Sequence, residues 1–325
     1  MTPLAFTVLR RLADGEFHSG EAIARELGIS RGSVWNALHA AEQAGVRTFK
    51  LPGRGYRLAH PVDWLDAARV REAMGDASRV LTLEMIDQAE STSSLLLERC
   101  AAGERHGLVL AAELQSAGRG RRGRGWHSAL GEGLTFSLLW RFSRGPAGLA
   151  GLSLAVGVAL ARACDALGVE GIRLKWPNDV VHGAGKLAGT LIEVQGEMQG
   201  PSWAVIGIGI NLRLAPESRS RIDQPVADLA SLAPELPARS RVLGVVLDHV
   251  AQVLSAFEAG GFAVQREEWT RRHAFQDRKV AVLLPGGGTL EGVARGVEED
   301  GSLLLQTPSG MRRLFGGEVS LRERA

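Results

Sequence analysis

Absences narrow the field first. The 325 residues include two cysteines, Cys100 and Cys164, both in segments with helical periodicity and neither with metal spacing. A dense disulfide framework is excluded, and a reducing, cytoplasmic setting is the expectation. Net charge is only +2, so any contact with nucleic acid must rest on a local patch. The longest apolar runs fall short of a membrane span, and Arg10, Arg11 and Asp14 stand where a secretory leader would be apolar. No membrane is expected. Catalytic signatures are missing too: there is no Cys/His metal cluster, no Gly-x-Ser-x-Gly elbow and no lysine-bearing Gly-x-x-x-x-Gly-Lys-Ser/Thr phosphate loop. That disfavours covalent catalysis. An enzyme that orients two substrates and neutralises phosphate charge fits better.

One further absence marks what is present. No acidic residue lies between Glu113 and Glu132. That span holds Gln115-Ser-Ala-Gly-Arg-Gly-Arg-Arg-Gly-Arg-Gly-Trp126, where Gly118, Gly120, Gly123 and Gly125 alternate with Arg119, Arg121, Arg122 and Arg124. Glycine lets backbone approach a ligand closely. Arginine offers a fixed fork of donors matched to phosphate and carboxylate. The strand-like apolar runs Leu108–Leu114 and Leu134–Trp140 flank the segment, which favours a loop closing on a small anion or nucleotide over an arginine/glycine-rich disordered tail.

The length suits two or three domains, and three blocks are legible. In residues 1–64 a helix is expected over Pro3–Ala13. A second, capped by Ser19, ends at Gly28, and a third, capped by Ser30, runs over Arg31–Gly45. Two short helices across a glycine turn form a helix-turn-helix. Thr48–Leu58 reads as a hairpin turning at Pro52-Gly53 and Gly55, which completes a winged helix. Residues 31–60 hold five basic groups (Arg31, Arg47, Lys50, Arg54, Arg57) against one acidic group, Glu42. A recognition helix presenting Arg31, Ser33, Trp35, Asn36 and His39, with Arg54 on the wing, suits DNA. A small helical module for protein contacts is the plainer alternative.

Residues 65–276 mix helices (Ser91–Ala101, Leu149–Leu167, Arg241–Ala259) with strands (Arg79–Met85, Gly107–Ala112, Leu134–Trp140, Gly189–Val194, Trp203–Leu212). Strands that follow one another directly imply antiparallel pairs, with helices on one face. Arg213–Pro237 reads as a long surface loop. Residues 277–325 carry strands near Lys279–Leu284, Gly288–Val297, Ser302–Thr307 and Met311–Phe315, separated by turns at Pro285–Gly288, Asp300-Gly301 and Ser309-Gly310. Such spacing suggests a small β-barrel.

Three more constellations lie in the middle block. In Lys175-Trp-Pro-Asn-Asp179, Pro177 forces extended backbone and leaves Asn178 and Asp179 at a strand end. Strand pairing across the turn at Gly183–Gly185 can bring Lys186 to Asp179, aimed at developing negative charge; a lysine at the base of an ordinary hairpin is the alternative. Gly207-Ile-Gly-Ile-Asn-Leu212 gives a strand with one flat face, open to a ligand or to close packing. Ser91 and Thr92, after Glu90, can cap the following helix or donate to a ligand at its start.

These motifs, in this order, resemble the bifunctional biotin protein ligases that double as the biotin operon repressor. Gly-Arg-Gly-Arg-Arg-Gly-Arg-Gly-Trp, Lys-Trp-Pro-Asn-Asp, Lys-Leu-Ala-Gly-Thr-Leu-Ile-Glu and Gly-Ile-Gly-Ile-Asn-Leu carry the likeness. So do the N-terminal Gly-Glu-Phe-His-Ser-Gly-Glu, the wing Pro-Gly-Arg-Gly-Tyr and the C-terminal Gly-Gly-Glu-Val-Ser-Leu-Arg. The resemblance implies an α+β chain: a winged helix-turn-helix, a central mixed-sheet catalytic domain of the class II synthetase and biotin-ligase kind, and an SH3-like barrel. It implies that biotin and ATP, with Mg²⁺, condense to biotinyl-5′-adenylate, and that biotin then passes to a lysine of a biotin carboxyl carrier protein. An adenylate-bound homodimer on operator DNA is the implied regulatory form.

By motif position, Ser91, Thr92, Ser93, Gln115, Gly118, Arg119, Gly120, Arg121 and Lys186 would surround biotin, with Gly207 and Gly209 as floor. Arg121, Arg122, Trp126, Asn178 and Asn211 would hold the nucleotide. Arg119, Arg121, Lys186 and Asp179 would carry the catalysis; Asn178, Asp179 and Asn211 would help hold nucleotide and metal, with no dedicated metal ligands assigned. Two departures stand out. Ser93 replaces the family's usual Asn, and Arg213–Ser240 holds no aromatic residue to pack on adenine. A ligase with a vestigial DNA-binding domain, a lipoate-type acyl ligase and a non-enzymatic ligand sensor are the competing readings.

Overall fold

Capping chemistry sets the first helices of the computed structural model, which describes residues 1–198, 200–233, 235–284, 288–315 and 320–323. Thr2 caps α1 (Pro3–Arg10), with Pro3 at the first helical position, where no donor is lost. This helix ends earlier than expected because its last turn tightens: the Leu12 amide donates to Leu9 O at 3.0 Å. Ser19 caps α2 (Gly20–Leu27), which stops at Gly28 with a left-handed φ of 65°. Ser30 then caps α3 (Arg31–Gln43). The wing, β1 (Thr48–Leu51) paired antiparallel with β2 (Gly55–Leu58), closes the unit. Val8, Leu9, Leu12, Ile23, Val34 and Leu38 form its buried core. Ion pairs tie it to the rest of the chain, Arg10 with Asp87 and Arg47 with Glu217.

The central unit comprises α4 (Ala67–Ala73), β3 (Thr82–Ala89), α5 (Thr92–Ala101), β4 (Leu108–Gln115), β5 (Gly133–Phe142), α6 (Leu152–Ala166), β6 (Ile172–Lys175), β7 (Asp179–His182), β8 (Gly185–Gly196) and β9 (Ser202–Asn211), followed by α7 (Pro216–Arg219), α8 (Leu229–Leu232), α9 (Arg239–Gly260) and α10 (Ala263–Arg272). Seven strands form one sheet in the order β3-β4-β5-β9-β8-β7-β6. Only β3 and β4 run parallel; the remaining pairs are antiparallel.

Strand alternation divides this sheet into two faces. Val109, Ala111, Phe136, Leu138, Ile206, Ile208 and Ile210 point to the main core under α4, α6 and α9. Leu108, Leu110, Leu139 and Val205 point the other way and pack on Leu96 of α5. The expectation of helices on one face is thus corrected, because α5 covers the second face on its own apolar stripe.

Pro146–Ala166 and Arg239–Gly260 are long and apolar enough to cross a membrane by length and composition alone. Both are mostly buried within the core, where a helix has no need of a polar face. Arg213–Pro237 is more structured than a bare surface loop: α7 and α8 lie within it, Asp228 and Leu229 are buried, and the Lys186 amide donates to Pro225 O at 2.9 Å. Among its described residues the C-terminal unit has five strands where four were expected, β10 (Lys279–Leu283), β11 (Thr289–Val297), β12 (Leu303–Thr307), β13 (Gly310–Leu314) and β14 (Ser320–Glu323). They form one antiparallel sheet in the order β13-β12-β11-β10-β14. The turn residues Pro285–Gly287 and the first four residues of the Gly-Gly-Glu-Val-Ser-Leu-Arg motif lie outside the described residues.

Candidate functional site

The site lies on the α5 side of the sheet, where β9 has no side chains to offer. Register puts Gly207 opposite Ser137 and Leu191, and Gly209 opposite Thr135 and Gly189. Cross-strand partners share a face, so the two glycines open a trough. The close approach is real at both positions: a Cβ on Gly209 would overlap the Trp126 indole, and one on Gly207 would overlap Ser93 Oγ.

Helix α5 begins at this trough. Ser91 is its N-cap, accepting from the Ser94 amide at 3.3 Å. Thr92 therefore falls in the first turn and is directed elsewhere. Its amide and hydroxyl both donate to Gln115 Oε1, at 2.7 and 2.9 Å. Thr92 Oγ1 lies 2.7 Å from Ser137 Oγ, which is 3.0 Å from Ser93 Oγ. Ser91, Thr92, Ser93 and Ser137 are all buried. Four hydroxyls and a carboxamide thus crowd one end of the pocket, which suits a compact, neutral, multiply hydrogen-bonding head.

The arginine/glycine loop covers the trough as a short hairpin: the Trp126 amide donates to Gly118 O at 2.8 Å and the Gly120 amide to Arg124 O at 2.7 Å. Arg119 donates to both oxygens of Glu193, at 2.7 and 3.1 Å, and to Ser94 Oγ at 3.2 Å. Arg121 reaches inward to Asn178 Oδ1 at 3.0 Å. Its burial lowers the guanidinium below the ordinary value; Arg122 adds to this and Asp179 opposes it. Opposite the loop, Lys186 Nζ lies 2.6 Å from Asp179 Oδ1, on paired strands β7 and β8 as the spacing suggested, and 5.7 Å from the Trp126 ring centroid. Asn178 donates to Thr190 O at 2.9 Å, which fixes its carboxamide toward Arg121.

Ser91, Thr92, Ser93, Gln115, Arg119, Gly120, Arg121, Trp126, Asn178, Lys186, Gly207 and Gly209 all line this one pocket. Four sequence candidates stand apart from its lining. Gly118 forms the base of the hairpin, and Asp179 sits behind Lys186. Arg122 is exposed, with a φ of 59°. Asn211 spends its amide on Lys186 O and Ala227 O, at 3.0 and 3.1 Å, and so braces the lysine strand. The sequence reading missed Ser137, Gly189 and Glu193. Hydroxyls at alternate positions, Thr135 and Ser137, within the otherwise apolar run Leu134–Trp140 were the only hint of Ser137.

No thiol nucleophile serves this pocket. Burial raises the Cys100 thiol and pushes Cys164 up to about 12. Among the described residues no group of three or more His, Cys, Asp and Glu side chains could hold a metal.

On α3, Arg31, Trp35 and His39 follow at four-residue steps and share one exposed face with Asn36. Trp35 is 51% exposed and stacks on His39 with ring centroids 5.2 Å apart. Ser33 Oγ is tied to Ser30 Oγ at 2.9 Å. Arg54, exposed on the wing, lies over Phe17 at 5.1 Å.

A mixed sheet with a glycine floor and an arginine/lysine rim, joined to a winged helix, defines a nucleotide-dependent acyl ligase fused to a helix-turn-helix module. Family models bear this out: one described as Biotin/lipoate A/B protein ligase family matches residues 85–211, one as Biotin protein ligase C terminal domain residues 277–322, and one as HTH domain residues 5–57. The bifunctional ligase/repressor BirA of Salmonella typhimurium is 37% identical over 99% of this chain and 98% of its own length. The Escherichia coli protein of that name is 36% identical over 96% and 95%. A biotin protein ligase from Aquifex aeolicus, solved with biotin and ATP, matches with a TM-score of 0.63 at 29% identity, covering 75% of this chain and 99% of that one. The chain belongs to the bifunctional biotin ligase/repressor family.

Proposed function

We propose that this chain is an ATP-dependent biotin protein ligase and a biotin-responsive transcriptional repressor. Biotin's carboxylate attacks the α-phosphorus of ATP, expelling pyrophosphate, and the resulting biotinyl-5′-adenylate acylates a lysine amine of a biotin carboxyl carrier protein, releasing AMP. One observation carries the ligase reading: Arg119, Arg121 and Lys186 ring a glycine-floored pocket whose far end is lined by hydroxyls and a carboxamide. Thr92, Ser93, Gln115 and Ser137 take the uncharged ring system. Arg121 and Lys186 meet the carboxylate and phosphates, where preorganised cations stabilise developing charge, and Arg119, engaged by Glu193, holds the loop over them. Asp179 and Asn211 hold Lys186 in place; Trp126 and Asn178 face the nucleotide. Mg²⁺ arrives with the nucleotide's phosphates. Asp179 is a single carboxylate already engaged by Lys186, so no step is assigned to a resident metal.

Residues 1–64 read the operator through Arg31, Ser33, Trp35, Asn36, His39 and Arg54; residues 65–276 form the ligase and residues 277–325 its C-terminal barrel. Dimerisation through the sheet is supported by β8, which pairs with β7 only as far as Gly189 and continues to Gly196 beside β9 alone. An edge of that kind can take up a second strand.

Incubation with biotin, ATP, Mg²⁺ and a carrier domain tests the ligase. The acceptor should gain one biotinyl group, and Lys186→Ala should slow the reaction about 10²- to 10³-fold. No gain with biotin, alongside transfer of lipoate or octanoate, would reassign the enzyme. Equal operator affinity with and without the adenylate would remove the repressor role.

A further inference from the structure

We infer that Glu193 is the latch of the arginine/glycine loop: through Arg119 it holds the loop shut over the activated acyl group and so sets how much of it is lost to water. This rests on the ligase reading and adds a positioning residue to it.

Side chains at three places along the loop pack on or bond to the sheet and its neighbours, and they differ in exposure to a ligand. Arg121 to Asn178 and Trp126 over Gly209 both lie inside the pocket, where an entering ligand must compete with them. The third is the Arg119–Glu193 pair. It stands at the rim, with the Arg119 side chain 44% and the Glu193 side chain 24% exposed. Glu193 comes from β8 opposite Val205, on the same face as Gly189 and Leu191 but beyond the pocket lining. The two terminal guanidinium nitrogens engage its two oxygens, and Ser94 Oγ at the start of α5 accepts a third bond. A bidentate fork of this kind fixes orientation as well as distance. Residue 119 also bridges to Gly125 across the hairpin, so one ion pair at its base secures the whole loop. Such a closure matters because the mixed anhydride is lost when water reaches its acyl carbon: the acyl–oxygen bond breaks, biotin leaves as the acid and AMP as the other product.

The readout is AMP formed from ATP and biotin without acceptor, set against acceptor turnover at saturation. Glu193→Gln keeps the shape and removes the charge. Leakage of AMP should rise up to about fivefold, the scale of a partly exposed ion pair, while acceptor turnover changes less than about twofold. Wild-type leakage should climb with added salt as the pair is screened, and leakage of the variant should not. Glu193→Asp should fall between the two. Equal leakage in wild type and Glu193→Gln at low salt would overturn the latch. So would a wild-type rate flat from about 50 mM to about 0.5 M salt, a measurement that needs no variant to fold. Absence of pyrophosphate release by wild type with biotin and ATP would instead count against the ligase reading itself.

Discussion

Ile206, Ile208 and Ile210 stand on one face of β9, all buried in the main core, while on the other face Gly207 and Gly209 stand bare beneath Trp126 and Ser93. One ten-residue strand thus serves both stability and recognition. The core face gains from every methylene it buries, at roughly 25 cal/mol per Å² of apolar surface. The site face gains from having none, because a ligand has to lie against the backbone. The same division recurs on β4 and β5. Glu113 extends the core face beside Val109 and Ala111, and it is neutralised there by buried Arg239; Ser137 faces the site.

The comparison can be broken most strongly at that buried pair. Glu113→Ala strands the Arg239 guanidinium, which also donates to Asp63 O and Gly133 O. It should cost about 3–5 kcal/mol in chemical denaturation, with ligand affinity of the folded fraction retained. Ile206→Ala, on the core side and outside the pocket lining, should cost about 2–5 kcal/mol and likewise spare ligand affinity.

A pH series probes the far edge of the sheet. His273 is buried beside Trp269 and its ionisation is pushed down to about 4 by burial, with Gln276 and Asp277 opposing. The unfolded chain takes up this proton near the ordinary value while the folded one does not. Stability should therefore be full above pH 6.5 and fall by up to about 3 kcal/mol as pH drops toward 4. His273→Gln should flatten that slope.

Gly209→Val reverses the test on the site face. Adenylate formation should drop about 10²-fold because the floor is displaced, and the unfolding midpoint should stay near that of wild type. The smallest effect on stability is expected at Trp35→Ala, under about 0.5 kcal/mol for an exposed side chain, accompanied by weaker operator binding. Loss of stability at Gly209→Val, or loss of ligand affinity at Ile206→Ala, would dissolve the two-face distinction.

Local signals were legible in the sequence. Ser19, Gly28 and Ser30 bracket their helices through bonds spanning three to five residues, so the helix-turn-helix could be read directly. The loop arginines and Lys186 with Asp179 were legible because each pair of elements is joined by a short turn. Glu113 with Arg239, Thr92 with Ser137 and Arg119 with Glu193 were not, since each pairing joins residues 45 to 126 positions apart. The second helical face was missed for the same reason: α5 carries an apolar stripe, but nothing within it says which side of a sheet will receive it. Alone, then, the sequence determined where helices begin, which loop carries the charge and which strand lacks side chains, because caps, charge and glycine act over one turn of chain. Tertiary structure decided which face those glycines open onto, which hydroxyl stands across from them and which carboxylate holds the loop, because strand order and register arise only when the whole sheet has paired.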